Sequence, residues 1–234
     1  MENRVMAGQS AQAASVPGLG GGSRTKTSPT HPPVRGGAPY CPAGLQPVPV
    51  NRFSSPLTRM LLAGNGSTTL LLQALTGGSI SASVRSVRAR PIGHLPDRSP
   101  ALLQLAPGAT AFVRRSLLLD QHGRPVSRNE VIIPAGNPIG RCLAEDLTRP
   151  IGLNLIANFT YHVREPLVTG LAPWDAAPFG ARHEASSKAY LIHASGRPLM
   201  LIWEIYNPEV VSPITTQRGE PVPIGSASHW SAGE

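Results

Sequence analysis

Cysteine is almost missing from this sequence, with two residues, Cys41 and Cys142, among 234. That excludes a disulfide framework and a cysteine-built metal cluster. A reducing compartment is the simple expectation. Long apolar runs are missing too, so no segment reaches membrane-spanning length. The first fifteen residues lack the apolar core of a secretory signal. A soluble, cytoplasmic protein with no membrane partner is expected. Charge is sparse, at 15% of residues, and aromatics make up only 5%. The net charge is +8, yet no run of Lys or Arg occurs, and the basic residues are not interleaved with aromatics. This argues against nucleic acid as a partner. An anionic small molecule would be drawn by the same sign of field. His162, His183 and His193 show no metal-ligand spacing, so no metal is expected.

What is present is enough for one domain. Hydrophobic residues make up 41% of the chain, while 25 Pro and 24 Gly point to stretches outside the core. Residues 1–50 are rich in Gly, Pro, Ser, Thr and Ala without periodicity and should be a disordered tail. Gly18-Leu19-Gly20-Gly21-Gly22 has no strand before it and no helical pattern after it, so it reads as linker. A domain is expected over residues 51–210, and a flexible C-terminal tail over 211–234.

Within the domain, Leu57, Met60, Leu61 and Leu62 predict a short helix that stops near Gly64. Ser67 is placed to cap a second helix through Leu75, with Gly77-Gly78 as its stop. Ile80, Ala82 and Val84 alternate, and Val87 and Ala89 continue in the opposite phase, which predicts a strand with a bulge. Residues 111–119 read as a strand, 120–125 as a hairpin loop and 126–133 as the return strand. Residues 189–206 repeat this plan. Gly123-Arg124-Pro125 and Gly196-Arg197-Pro198 are the matching turns. Residues 138–147 and 152 to about 168 look helical. Two such hairpins predict α+β architecture: a single antiparallel sheet with helices on one face.

The segment from Leu199 to Tyr206 is almost unbroken in apolar residues except for Glu204. A carboxylate in that setting costs several kcal/mol unless something meets it. Arg114 and Arg115 are neighbours on another strand, so one faces the core and the other faces out. Pro150-Ile151-Gly152 offers backbone N–H groups at a helix start, where negative charge is favoured. An Arg fork, a helix start and a carboxylate together suit a small molecule carrying a carboxylate and a hydroxyl. The plainer reading of Glu204 is a structural acid paired with Arg114, Arg115 or Lys188. Glu130 reads as a structural partner for an arginine across the hairpin.

Four motifs in order carry a resemblance. They are Leu61-Leu62-Ala63-Gly64-Asn65-Gly66-Ser67-Thr68-Thr69, Val113-Arg114-Arg115-Ser116-Leu117-Leu118, Arg149-Pro150-Ile151-Gly152, and Gly196-Arg197-Pro198 through Glu204. Over roughly Leu57 to Pro208 the chain resembles chorismate lyases, above all the branch found in cyanobacteria, algal plastids and mycobacteria. The resemblance implies an antiparallel sheet with a ligand cavity beneath helical flaps. It implies conversion of chorismate to 4-hydroxybenzoate and pyruvate, without a cofactor, in supply of a quinone ring such as that of plastoquinone or ubiquinone. It puts the carboxylate-binding arginine on Arg114, a backbone contact on Ile151 and Gly152, the acid facing the ring hydroxyl on Glu204, and the flap on Ser67, Thr68 and Thr69. Catalytic roles would fall to Glu204 and Arg114. Departures are Ile151 for Leu, Thr68 for Met and Lys188 near an arginine position. With the resemblance, the ligand reading of Glu204 is favoured over the structural one. The alternative function is a non-catalytic, effector-sensing domain of the same fold that binds a small aromatic acid. A monomer is expected.

Overall fold

Three helices capped by polar side chains and six long strands build the frame. The computed structural model describes residues 40–158, 161–175 and 183–216. Strand β1 (Gln46–Pro47) is followed by α1 (Pro56–Ala63), α2 (Thr68–Thr76), β2 (Ser81–Pro91), α3 (Ser99–Leu102), β3 (Thr110–Leu119) and β4 (Pro125–Pro134). Then come α4 (Pro138–Glu145), α5 (Ile151–Ala157), β5 (His162–Trp174), β6 (His183–Ala194) and β7 (Arg197–Tyr206). The strands form one sheet in the order β1-β5-β6-β7-β4-β3-β2, antiparallel throughout.

The local signals explain the elements. Ser55, Ser67 and Asn137 accept backbone N–H groups at the starts of α1, α2 and α4, and Pro follows directly at two of these caps. Gly77 closes α2 in the left-handed conformation at φ 70°, which a side chain would strain. β2 carries its bulge between Val84 and Ser86, as the phase change predicted. The β3–β4 turn is held by Asp120, whose carboxylate accepts from the His122 and Arg124 N–H groups and from the Arg124 side chain. Arg115 and Glu130 pair across this hairpin at 2.7 Å, as expected for Glu130.

α1, α2, α4 and α5 cover one face of the sheet. α4 and α5 bring Leu143, Ala144, Ile151 and Leu155 onto Val131, Ile133, Tyr190, Ile192 and Ile202. α1 and α2 bring Leu61, Leu62 and Leu72 onto Leu118, Leu171 and Tyr206. The opposite face packs Tyr40, Leu95 and Leu103 against Ala111, Ile132, Leu191 and Leu201. The connection that carries α3 therefore closes the far side.

Three expectations are corrected. The helical reading of 152 to about 168 holds only to Ala157. From His162 the chain is β5, paired with β6 as far as Trp174. Pro166 cannot sit inside a helix, and it lies where the β5–β6 register shifts. The expected domain start at residue 51 falls inside folded structure. Tyr40 and Leu45 are buried, β1 pairs with β5, and Val48 exchanges bonds of 2.9 and 2.7 Å with Thr169. Gly170 admits that pairing, because a Cβ there would stand 2.1 Å from the Gln46 carbonyl oxygen. At the other end Val211 is buried, and Thr215 bridges to Phe53 beyond the expected limit of 210. The expected disorder of residues 1–39, and of the C-terminal residues from 217, lies outside the described residues.

Candidate functional site

Cross-strand register builds the site. Ser116 on β3 pairs with Asn129 on β4, Asn129 with Glu204 on β7, and Glu204 with Lys188 on β6. All four are buried. A polar row thus crosses four strands of the helix-covered face, between the cluster under α4–α5 and the cluster under α1–α2. Arg114 stands on the same face one pair of residues along β3. Its side chain is buried, whereas that of Arg115 is 65% exposed.

A cavity opens over this row. It is lined from the sheet by Arg114, Asn129, Arg164, Tyr190 and Glu204, and from the helices by Thr68, Thr69, Ile151 and Gly152. The enclosed cavity is small, about 30 Å³, within about 450 Å³ of space between atoms that includes its open mouth. Two helix starts face it, α2 at Thr68 and α5 at Ile151, each adding the partial positive charge of unpaired N–H groups. The first turn of α5 lies close against the α2 cap. A Cβ on Gly152 would stand 2.9 Å from Thr69 Oγ1 and 3.3 Å from Ser67 Oγ.

Glu204 is met by neither Arg114, Arg115 nor Lys188 through an ion pair within 4 Å among the described residues. Two tyrosines meet it instead. Tyr190 Oη donates to Oε1 at 3.0 Å and Tyr206 Oη donates to Oε2 at 2.6 Å. Burial, and then the Glu204 charge, push both phenols well above their ordinary pKa, so they remain donors. Lys188 donates to the carbonyls of Leu61 and Gly64 at 2.8 and 3.4 Å and so ties the end of α1 to the sheet. Burial presses its pKa down, and the Glu204 charge partly restores it.

Arg114 is placed by the α4–α5 connection. Its Nη2 donates to the Asp146 and Arg149 carbonyls at 3.0 and 3.2 Å, and its Nε is buried without a partner. Burial lowers its pKa and the nearby Asp146 charge offsets part of that. The Asp146 carboxylate itself is taken by Thr148 and Asn154. The Arg114 fork therefore has no carboxylate among the described residues.

Of the residues expected at the site, Arg114, Ile151, Gly152, Thr68 and Glu204 converge on the cavity. Ser67 does not line it. Its hydroxyl caps α2, accepting from the Leu70 N–H at 3.5 Å. Thr68 Oγ1 is buried beside the Tyr190 and Tyr206 hydroxyls, with no well-aligned hydrogen bond among the described residues. Sequence reasoning missed Tyr190, Tyr206, Asn129 and Arg164. Tyr206 lies two positions from Glu204 on one strand face and was legible in principle. The others depend on register between distant strands.

A family model described as chorismate pyruvate-lyase Rv2949c-like matches residues 62–212. No curated protein sequence matches the chain. Among solved structures, PhnF from Mycobacterium smegmatis superposes with a TM-score of 0.50 at 16% identity, covering 67% of this chain and 70% of that one. The effector domain of the same protein gives 0.50 at 17% identity, covering 66% of this chain and 96% of that one. At these identities the likeness is one of fold.

Proposed function

The chain belongs to the Rv2949c-like chorismate pyruvate-lyase family, and on that premise we propose that it converts chorismate to 4-hydroxybenzoate and pyruvate. The observation that supports this most is the open Arg114 fork sharing one cavity with a carboxylate clamped by two phenols. A buried guanidinium that no carboxylate among the described residues bonds is costly, and a ligand carboxylate would relieve it. In this reading Arg114 grips the ring carboxylate by parallel hydrogen bonds. The N–H groups of Ile151 and Gly152 approach the same group, and Thr68 closes the cavity from α2. Glu204 faces the 4-hydroxyl and the ring carbon that bears it.

The reaction balances without a cofactor. The bond between the ring and the enolpyruvyl oxygen breaks, and its electron pair leaves with that oxygen. The hydrogen on the hydroxyl-bearing carbon departs as a proton, and its pair completes the aromatic ring. The enolpyruvate takes a proton on carbon to become pyruvate. Aromatisation supplies the driving force. The protein holds the reactive conformer, and Glu204 is placed to receive the ring proton.

The test is incubation of purified protein with chorismate, following pyruvate and 4-hydroxybenzoate together. Equal amounts of both at a rate above the uncatalysed one are expected. A second reading, a non-catalytic domain binding a small aromatic acid, draws on the fold likeness to the PhnF effector domain. Binding of 4-hydroxybenzoate with no turnover of chorismate would favour it and overturn the lyase reading.

A further inference from the structure

Arg164 is the charged group in the cavity that the reading above leaves unused. It sits on β5 opposite Ile192 of β6. Arg114 sits on β3, joined through Val131 of β4 and Ile202 of β7 to Tyr190 of β6. Four strand spacings of about 4.8 Å therefore separate the two arginines, roughly 19 Å along the sheet. Both side chains nonetheless line the same cavity, with Tyr190 and Glu204 from the strands between them. Among the described residues Arg164 Nε is buried without a partner, and its Nη1 makes a long contact, 3.4 Å, to the Asn65 carbonyl. Among the described residues it forms no ion pair. Its charge and that of Lys188 act on one another unfavourably. The one carboxylate of the cavity lining is already served by two phenols.

Two guanidinium forks thus face one cavity from opposite ends, and among the described residues neither forms an ion pair. A ligand with a single carboxylate satisfies one of them. Resting on the lyase reading, we propose that Arg164 binds the second carboxylate of the substrate, the one on the enolpyruvyl side chain, and so makes the site selective for a dicarboxylate over the monocarboxylate product. Arg164 then also aligns the departing group. Its fork holds the enolpyruvate carboxylate and lends positive charge near the ether oxygen, where negative charge develops as that bond breaks. Once pyruvate has left, the ring acid is held at the Arg114 end alone, which favours product release.

The test uses two probes that cannot react. One is 4-hydroxybenzoate. The other is 3-(carboxymethoxy)-4-hydroxybenzoate, which keeps the ring acid, the ether acid and the para hydroxyl. Each is titrated calorimetrically into wild type, Arg164→Gln, Arg164→Lys and Arg114→Ala. Wild type should bind the dicarboxylate more tightly than the monocarboxylate. Arg164→Gln should weaken the dicarboxylate about tenfold or more and 4-hydroxybenzoate by less than about twofold. Arg164→Lys should recover only part of the loss, because it lacks the fork. Arg114→Ala should weaken both probes. Retained 4-hydroxybenzoate binding also shows that the Arg164 variants are folded. Equal weakening of both probes in Arg164→Gln, or no weakening of either, overturns the assignment while leaving the lyase reading in place. A wild type that binds neither probe overturns both.

Discussion

Glu204 stands midway across the sheet with each carboxylate oxygen accepting from one phenol. Hydrogen bonds to a charged acceptor contribute about 1.5–3 kcal/mol each, and phenols do so without neutralising the charge. A salt bridge in their place would hold the same carboxylate with a countercharge instead of two dipoles. This difference sets the expected behaviour of Glu204→Gln. The amide keeps the volume and can accept from one tyrosine, while the other hydroxyl must rotate to accept from the amide nitrogen. The variant also sheds a buried charge, so its unfolding free energy should change by only about 1 kcal/mol. Turnover of chorismate should fall about 100-fold or more, within the range expected for loss of a general base. Unfolding curves measured beside initial rates check this. Activity that merely tracks the folded fraction would return Glu204 to a structural role.

At the scale of elements, the α4–α5 connection is a bracket for Arg114. Asp146, at the end of α4, accepts from the Thr148 hydroxyl at 2.6 Å, the Thr148 N–H at 2.8 Å and Asn154 Nδ2 at 2.7 Å. Its own carbonyl then receives Arg114. The Thr148 bonds, followed by that from Asn154, hold the Asp146 carboxyl below its ordinary 3.8. A depressed folded pKa means that the unfolded chain binds more protons in the window between the two values. Stability therefore rises with pH across that window. The contribution is complete above 3.8 and is lost as pH falls through the lower folded value. Thermal midpoints followed from about pH 5 down to about pH 2 should show a shallower acid limb in Asp146→Asn than in wild type. Parallel limbs would mean that Asp146 does not link the bracket to pH.

For the whole molecule, the informative segment runs from Tyr40 to Val50. Tyr40 and Leu45 are buried, and β1 supplies an edge partner for β5. Full burial of such side chains contributes about 1.5–3 kcal/mol each, against the entropy of ordering the segment that carries them. A chain starting at Tyr40 should match the full-length protein in unfolding free energy. One starting at Asn51 should lose roughly 2–4 kcal/mol. Denaturant unfolding of the three chains measures this. Equal midpoints would show that the segment from 40 to 50 adds nothing to stability.

What the sequence determined by itself was local. Ser67 and Gly77 marked the two ends of α2, because capping acts within one turn of the chain. The phase change after Val84 located a bulge, and adjacency on a strand put Arg114 and Arg115 on opposite faces, because side chains alternate with a period of two. The ordered motifs identified the family and named Arg114 and Glu204. Tertiary structure decided what depends on register. Ser116, Asn129, Glu204 and Lys188 form one row only because four separate strands align at those positions. Pro166 was the sequence signal against a helix beyond Ala157, while the extent of β5 was decided by its pairing with β6. The segment from Tyr40 to Val50 was hidden because two apolar anchors and a few backbone bonds leave no periodic trace. Whether Glu204 met a cation or a phenol, and whether Arg164 reached the cavity at all, was settled by which side chains the folded sheet brings face to face.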